Sequence, residues 1–439
     1  MIALFRQHRG PARKGWKLPL GAWILLVLLV LLGTVIYSFF FFRRTVFDYG
    51  APHTFTVADP AFFGSAHALA DPLPVEGNRI DLLNNGDEIF PAMLAAIRGA
   101  RRTVNFEAFL FESGEVAAAF RDAFVERARA GVRVRVLLDG IGSGLGLNDA
   151  DVQTMKNAGC DFRWYHPIAS WRLDRVNRRT HRRVMVIDGR VGFTGGVGFS
   201  DEWAGNAHTP KHRREVHARI EGPLVANLQG AFQEHWMREA GEALGGPDEF
   251  PVLSPAGTLR AQVVASHAFS IAPFPLVLAA AFSAAEKRVW ITNAYFTPSE
   301  NQVELLVQAA KRGVDVRLIV PGKYDDQPAT KAAGRTAYGK LLAGGVKIYE
   351  YEPTMIHSKT VVVDGLFSVF GSSNLDARSS AINEELDVTV YDSDFARRME
   401  AIFLADLQQS RAYKLEDFRE RPLWERIREA AARPFKSQL

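Results

Sequence analysis

The chain has 439 residues, of which 47% are hydrophobic and 23% are charged, so it is a globular protein of more than one ordinary domain with a sizeable core. Its formal net charge of +4 fits an anionic partner such as a membrane surface, a phospholipid or a nucleic acid, and by itself selects none of them. The single cysteine, Cys160, excludes an intrachain disulfide and a cysteine-rich zinc cluster.

The amino-terminal region predicts a membrane anchor. Residues 18–42 carry no charged side chain, and a helix of this length, at about 1.5 Å per residue, exceeds the ~30 Å hydrocarbon core of a bilayer. A cleaved signal peptide is the alternative, but its apolar region would be too long and no small-residue cleavage pattern precedes Arg43. Basic residues are more numerous in residues 1–17 than just after the segment, which predicts a cytoplasmic amino terminus and a large domain on the outer face.

An internal repeat organises the chain after an irregular linker at residues 43–77. Residues 130–137 and 312–319 match each other, and each combines the end of a helix, a glycine and an alternating apolar strand. Alternation of helices and strands predicts a layered α/β fold.

The most specific part of the repeat is a nine-residue pattern at 181–189 and again at 357–365. Each copy has a histidine, a cation two residues later and an aspartate seven residues later. The matched residues are His181, Arg183 and Asp188 in the first copy and His357, Lys359 and Asp364 in the second. Small residues follow each copy, and a glutamate precedes a later strand; these residues are Gly195, Gly196 and Glu215, and Ser372, Ser373, Asn374 and Glu385.

This pattern predicts chemistry on a phosphodiester. A histidine and a cation two residues apart lie on one face of a strand, so two facing copies would surround one pocket with two imidazoles and two cations. The cations neutralise the non-bridging oxygens, while one imidazole attacks phosphorus and the other protonates the leaving oxygen. Either glutamate, Glu215 or Glu385, can hold a ring in the required tautomer. No metal or other cofactor is needed, because side chains supply the positive charge.

The remaining matched residues allow two interpretations each. Asp188 and Asp364 are catalytic, or they only brace the loop after the strand. The small residues Ser372, Ser373 and Asn374, with Gly195 and Gly196, bind phosphate or form simple turns, and phosphate contact is the preferred interpretation.

Two H-x-K/R-x4-D motifs, the second followed by G-S-x-N, make the chain resemble the phospholipase D superfamily. Residues 293–298, 349–357, 371–379, 383–385 and 421–424 are similar to bacterial cardiolipin synthases in particular, and the resemblance covers about residues 78–434. The first copy departs from the family pattern, with Arg183 where Lys is usual and Gly198 where Asn is usual. Arginine keeps the charge, whereas glycine loses an amide, so the first half-site is expected to be tuned for another head group.

The resemblance implies an α/β fold of two tandem phospholipase D-like α/β/α sandwich repeats with one active site between them, preceded by one transmembrane helix. The expected segments are a basic cytoplasmic amino terminus (1–17), the transmembrane helix (18–42), the linker (43–77), a first phospholipase D-like domain (78–245, motif 175–202), a second (246–415, motif 351–378) and an amphipathic tail (416–439). A short interfacial helix and packing on the main domain are equally good interpretations of the tail.

The implied function is phosphatidyl transfer of the cardiolipin synthase type, through a phosphohistidine, onto a glycerol-containing lipid head group. The expected partners are phosphatidylglycerol or another glycerophospholipid and the bilayer of a bacterial inner membrane, with no nucleic acid. A hydrolase or nuclease of the same superfamily is one alternative, and a non-catalytic membrane scaffold is another.

The resemblance also implies that His181 is the nucleophile and His357 the general acid. The arginine-dense approach to His181 should keep that ring neutral. The carboxylates nearest to His357 in the sequence pattern, those of Glu350, Glu352 and Glu385, should hold a proton on the second ring.

Overall fold

The computed structural model describes residues 19–41, 53–167, 173–267, 272–436 and 438. The predicted basic segment 1–17 and the start of the linker lie outside these residues. Helix α1, Leu20–Phe41, is uncharged and belongs to a unit of its own, Met1–Asp48, while Tyr49–Leu439 form the second unit. Within the residues that the structure describes, no helix qualifies as a membrane span by length and hydropathy.

The first half of the large unit contains eight strands and six helices among its described residues. In chain order these are α2 (Pro60–His67), β1 (Val75–Asn84), α3 (Asn85–Gly99), β2 (Thr103–Ala108), α4 (Glu115–Arg129), β3 (Arg133–Asp139), α5 (Asp149–Asn157), β4 (Asp161–Tyr165), α6 (Leu173–Asn177), β5 (Val184–Ile187), β6 (Val191–Gly195), β7 (Arg213–Arg214), β8 (Val216–Glu221) and α7 (Leu224–Ala240).

The second half repeats this order and adds a carboxyl-terminal extension. It comprises β9 (Leu259–Ala265), α8 (Pro273–Ala284), β10 (Arg288–Thr292), α9 (Glu300–Lys311), β11 (Asp315–Pro321), α10 (Pro328–Arg335), α11 (Tyr338–Ala343), β12 (Lys347–Tyr351), β13 (Met355–Ile356), β14 (Thr360–Val363), β15 (Phe367–Gly371), α12 (Ala377–Ala381), β16 (Leu386–Tyr391), α13 (Ser393–Gln408), β17 (Ser410–Tyr413), α14 (Leu415–Glu420) and α15 (Leu423–Ala432). Short 3-10 helices span Asp201–Trp203 and Arg433–Phe435.

The repeat is visible in the sheet, which has fifteen strands in the order β17-β12-β11-β10-β14-β15-β16-β9-β1-β8-β6-β5-β2-β3-β4. In each half three strands run parallel, β2-β3-β4 and β10-β11-β12, and the strands that follow are antiparallel. The halves join where β1 pairs with β9, through Val75 opposite Ala261 and Asn78 opposite Leu259. The predicted α/β fold with two repeated halves is confirmed.

Glycines end the matching helices in both halves, as the sequence pattern predicts. Gly131 after α4 and Gly313 after α9 have φ of 86° and 96°, a left-handed conformation that side chains with a Cβ rarely adopt. Two residues after each glycine a largely buried parallel strand begins, β3 at Arg133 and β11 at Asp315.

Both faces of the sheet are covered. Along β5, Met185 and Ile187 join the apolar cluster formed with α3 and α4, while Val184 and Val186 join a second cluster. This second cluster runs across both halves, because it includes Phe232 of α7 together with residues of α13 and of strands from both repeats. A shared core therefore holds the halves in one unit.

Candidate active site

Each motif histidine is held by the backbone of the opposite half. The His181 amide donates to the Glu384 carbonyl at 2.8 Å, and the His357 amide donates to the Arg214 carbonyl at 2.8 Å. Short parallel pairing supports both contacts, since β13 pairs with β7 and Thr180 forms a bridge with Glu384. The two copies of the motif therefore meet face to face.

Glu215 and Glu385 each reach the histidine of the opposite half. Nδ1 of His181 lies 2.8 Å from Oε2 of Glu385, and Nδ1 of His357 lies 2.6 Å from Oε2 of Glu215. In a neutral ring Nδ1 would donate to the carboxylate, which leaves the lone pair of Nε2 available for chemistry. The sequence pattern predicted a glutamate for each ring, and the structure gives each ring the glutamate of the other repeat.

Burial controls the charge of both rings. It lowers the pKa of His181 to about 4, assisted by Arg183 and opposed by Glu385. It also lowers the pKa of His357 well below its usual range, with Lys359 as the next cause. Both shifts favour the neutral form of the imidazole.

The prediction that sequence-near carboxylates hold a proton on His357 is wrong. Glu350 instead pairs with Arg335 and Arg411, Glu352 lies 3.8 Å from Arg411, and Glu385 pairs with His181. Glu215 is the carboxylate that contacts His357. The sequence placed the wrong carboxylates there because proximity along a strand does not determine which face a side chain occupies.

The two glutamates differ in charge. Burial opposes ionisation of Glu385, but His181, Ser372 and Ser379 outweigh it and lower its pKa to about 2. Burial raises the pKa of Glu215, despite Lys359 and the Val216 amide. The carboxylate beside His181 is therefore the more firmly ionised of the two.

The motif cations lie beside the histidines. Arg183 donates to the His181 carbonyl, and its buried Nε has no partner among the described residues. Lys359 Nζ lies 2.9 Å from Nδ1 and 3.0 Å from Nε2 of His357. Burial lowers the pKa of Lys359 to about 7, opposed by Glu215. Lys359 can thus gain or lose a proton near neutral pH, next to the second imidazole.

The interpretation of Asp188 and Asp364 as catalytic is not supported by this geometry. Asp188 accepts the backbone amides of residues 101, 102 and 103, and Asp364 accepts those of residues 286, 287 and 288. Their own φ angles are 53° and 55°, in the turn that follows β5 and β14. Both aspartates brace the start of the neighbouring strand, which was the other interpretation of the sequence pattern.

The small residues after the motifs mainly serve the glutamates. Ser372 Oγ donates to Glu385 at 2.5 Å, and Ser373 donates to Asp387. A Cβ at Gly196 would lie 2.7 Å from the Glu215 carboxylate, so glycine allows that carboxylate its place. Gly195 likewise lies against the ring and the backbone of His217. Phosphate contact by this set stays a prediction; the buried side-chain oxygen of Asn374, which can only accept a hydrogen bond, has no partner within the described part of the chain.

Aromatic walls around the histidines were not predicted. Trp203 and Tyr295 each meet His357 edge to face, with ring centroids 5.2 Å and 5.8 Å away, and Phe109 meets His181 at 5.1 Å. A Cβ at Gly198 would lie 2.8 Å from the Trp203 ring. The indole of Trp203 thus fills the space that the asparagine of the family pattern would occupy. Gly198 in the motif was the sequence signal that a larger side chain from another segment occupies this space.

Buried ion pairs between the halves were also missed, although their residues Arg214 and Glu384 directly precede Glu215 and Glu385. Arg214 Nε lies 2.8 Å from Asp406, and Glu384 accepts from Arg238 at 2.9 Å and from the Tyr165 hydroxyl at 2.8 Å. The other face of Glu384 contacts His235. These residues fix the segments that carry Glu215 and Glu385.

Potential metal ligands come together at one place in the described chain, in Glu234, His235 and Glu384. Arg182 and Arg238 bind the two carboxylates of this cluster, and His235 also contacts Glu107. The carboxylates Glu107 and Glu384 outweigh burial and raise the pKa of His235. Two arginines already bind the carboxylates and His235 lies between two glutamates, so the cluster fits an ion-pair network better than a metal.

Comparison with known proteins agrees with this geometry. The family model for "Cardiolipin synthase, PLD-like domain" matches residues 93–236 and 278–407. Cardiolipin synthase 1 of Bacillus cereus is 33% identical over 364 residues, which are 80% of this chain and 71% of the relative. Cardiolipin synthase A of Pseudomonas syringae pv. syringae is 35% identical over 361 residues, which are 81% of this chain and 73% of the relative.

A solved structure shares the fold. Phosphatidylserine synthase of Haemophilus influenzae superposes with a TM-score of 0.63 at 15% identity, covering 86% of this chain and 100% of that protein. The chain belongs to the phospholipase D-like family of cardiolipin synthases, and it is a phosphatidyltransferase of that superfamily.

Proposed function

We propose that the chain moves a phosphatidyl group from one glycerophospholipid onto the glycerol head group of another, through a phosphohistidine on His181. The observation that carries the proposal is the crossed pairing of two buried imidazoles with Glu385 and Glu215. Each ring keeps one nitrogen for chemistry, and each has a cation beside it for a phosphate oxygen. Phosphatidylglycerol, which carries a free glycerol head, suits both the donor and the acceptor role.

In the first step Nε2 of His181 attacks phosphorus, and the bond from phosphorus to the leaving alcohol oxygen breaks. That oxygen takes a proton from His357. In the second step His357 removes the proton from the acceptor hydroxyl, which attacks phosphorus as the bond to His181 breaks. Atoms and protons balance over the two steps, and no metal takes part in either.

The different surroundings of the rings support the assignment of roles. His181 has a firmly ionised glutamate, which stabilises the positive charge that the ring gains on attack, and an arginine that holds its proton. His357 has Lys359 beside it, with Nζ 3.0 Å from Nε2 of the ring and a pKa of about 7. An anionic diester between the rings would raise the pKa of both groups, so that Lys359 stays charged on a phosphate oxygen while His357 takes up a proton from water.

Residues 18–42 are proposed as the membrane anchor of this enzyme, in a bacterial inner membrane with the large unit on the outer face. The support is the sequence, since the segment is uncharged and the excess of cations precedes it. Helix α1 covers most of the segment.

The test of the activity is lipid analysis of a bacterial host that lacks its own cardiolipin synthases, with and without the chain. New cardiolipin is the expected result. A different new phosphodiester lipid would contradict the proposed acceptor. Free phosphatidic acid would indicate a hydrolase, and an unchanged lipid profile together with nucleic-acid cleavage would indicate a nuclease. No activity of any kind would favour the scaffold.

The test of the roles is trapping of the labelled enzyme. His181→Ala and His357→Ala should both lose transfer to lipid acceptors. With a diester that has an activated leaving group, His357→Ala should accumulate label on His181, whereas His181→Ala should not label. Label on His357 by mass spectrometry would reverse the roles, and full turnover by either variant would remove the mechanism.

A further inference from the structure

Helix α15 presents its apolar residues to solvent. Leu423, Trp424 and Ile427 are 70%, 55% and 59% exposed, and Phe435 in the following 3-10 turn is 59% exposed. Contiguous exposed apolar side chains on a soluble domain mark a surface that is covered in use.

The polar face of the same helix is the one that packs on the domain. Glu425 pairs with Arg335 at 2.9 Å, and the buried Glu429 pairs with Arg421 at 3.0 Å. This is the reverse of an ordinary surface helix, whose apolar stripe faces the core. The helix is therefore held by ion pairs so that its apolar side points outwards.

The charges left exposed on this segment are all positive. Its two acidic residues, Glu425 and Glu429, form the ion pairs just described, whereas Arg426, Arg428 and Arg433 are exposed. Aromatic and aliphatic side chains flanked by arginines are typical of a helix that lies in the interface of an anionic bilayer. A protein partner would need acidic residues around an apolar groove, whereas a bilayer of anionic lipids offers both features over any area.

One loop links this surface to the mouth of the active site. Lys323 and Asp325 line a cleft of about 280 Å³ together with Trp424 and Arg428. The next residue, Asp326, accepts from the Tyr295 hydroxyl at 2.9 Å and from Arg213 at 2.7 Å.

Those two partners of Asp326 flank the second histidine. Tyr295 meets His357 directly, and Arg213 stacks on Trp203, which also meets that ring. Successive residues of a single loop thus line the cleft beside α15 and contact the side chains that flank His357.

We infer that the outward face of α15, Leu423, Trp424, Ile427 and Phe435, inserts into the interface of an anionic phospholipid bilayer beside the active-site mouth. The inference goes beyond phosphatidyl transfer, because this face takes no part in any step of that reaction. Its consequence is that lipids reach the pocket from the bilayer rather than from water.

The sole cysteine allows a direct test. Cys160 is buried, so a thiol probe added to the full-length chain reports on an introduced cysteine. Trp424→Cys carries the environment-sensitive probe, and Val252→Cys, at a site outside α15 that is 94% exposed, is the matched control. Both are reconstituted in vesicles of phosphatidylcholine with phosphatidylglycerol and in vesicles of phosphatidylcholine alone.

The expected result is a blue-shifted probe at 424 that spin-labelled lipids quench, with a smaller effect in phosphatidylcholine alone, and a water-like probe at 252. Equal spectra at the two positions in anionic vesicles would overturn the inference. A blue shift in detergent that grows with protein concentration would also overturn it, because the face would then bind a second copy.

A functional arm separates this surface from the chemistry. Ile427→Glu should lower turnover of vesicle lipid about tenfold, as expected when an inserted side chain becomes charged, and should leave a short-chain water-soluble diester unchanged. Equal turnover of both substrates would count against the inference. Failure of the proposed activity would be seen with both substrates, whereas the probe spectra do not depend on activity.

Discussion

Replacing Glu385 by glutamine should slow formation of the phosphohistidine by about 10²- to 10³-fold. The carboxylate lies 2.8 Å from Nδ1 of His181, which sets the two charge centres about 4 Å apart once the ring becomes positive. At an effective dielectric constant of ~20 this pair is worth about 4 kcal/mol, or roughly 10³-fold in rate. Because glutamine can still accept a hydrogen bond from the ring, we expect a rate loss below the full 10³-fold.

A single-turnover assay with a soluble nitrophenyl diester isolates the step, because this leaving group needs no proton. Glu385→Gln should label slowly, whereas Glu215→Gln should label close to the wild-type rate and become slow only with a natural alcohol as leaving group. Ser379→Ala, which removes one hydroxyl that donates to Glu385 at 2.7 Å, is the control for local disturbance and should lose less than about tenfold. Wild-type labelling by Glu385→Gln, or equal losses in both glutamate variants with the activated diester, would refute the reasoning.

Four further outcomes are expected. Lys359 must be protonated to bind phosphate, and its pKa is about 7. Activity on a soluble diester should therefore fall as the pH rises through 7, and Lys359→Arg should move that fall to higher pH. An unchanged pH profile in this variant would exclude Lys359 as the cause. Gly198→Asn should destabilise the protein by about 1–3 kcal/mol in chemical unfolding, because Trp203 fills the space, and adding Trp203→Leu should restore most of it if the packing explanation holds. Asp188→Ala should lose about 1–3 kcal/mol of unfolding free energy with turnover per folded molecule within about threefold; a large loss of turnover would make it catalytic after all. Excess chelator should leave turnover of the soluble diester unchanged, because Arg183 and Lys359 supply the charge, and a loss restored by one divalent ion would contradict this.

The sequence predicted the fold well because its evidence is local and occurs twice. Helix ends at Gly131 and Gly313, alternating strands after them, and the paired motifs are all patterns within a few residues. A duplicated pattern of this kind also predicts that two histidines share one pocket, since a single copy holds only half of the required groups.

The parts that the sequence could not provide depend on contacts between distant residues. Glu385 was assigned to His357 because the two are near in sequence, whereas the fold crosses it to His181. Trp203 enters the pocket from a turn outside the motif, and only the unexpected Gly198 hints at it. The aspartates look identical to catalytic groups in sequence, and only the three backbone amides on each carboxylate reveal their bracing role.

The crossed glutamates determine how a lipid can enter. If the two repeats moved apart to admit a lipid, Glu385 would lose its contact with His181, and Glu215 its contact with His357. The pairing of β13 with β7 would also break. The residues of the proposed reaction would then be separated each time a substrate bound. We therefore expect a lipid to enter by movement of side chains near His357, such as Tyr295 and Arg213 on Asp326. The contacts between the two repeats are expected to persist throughout turnover.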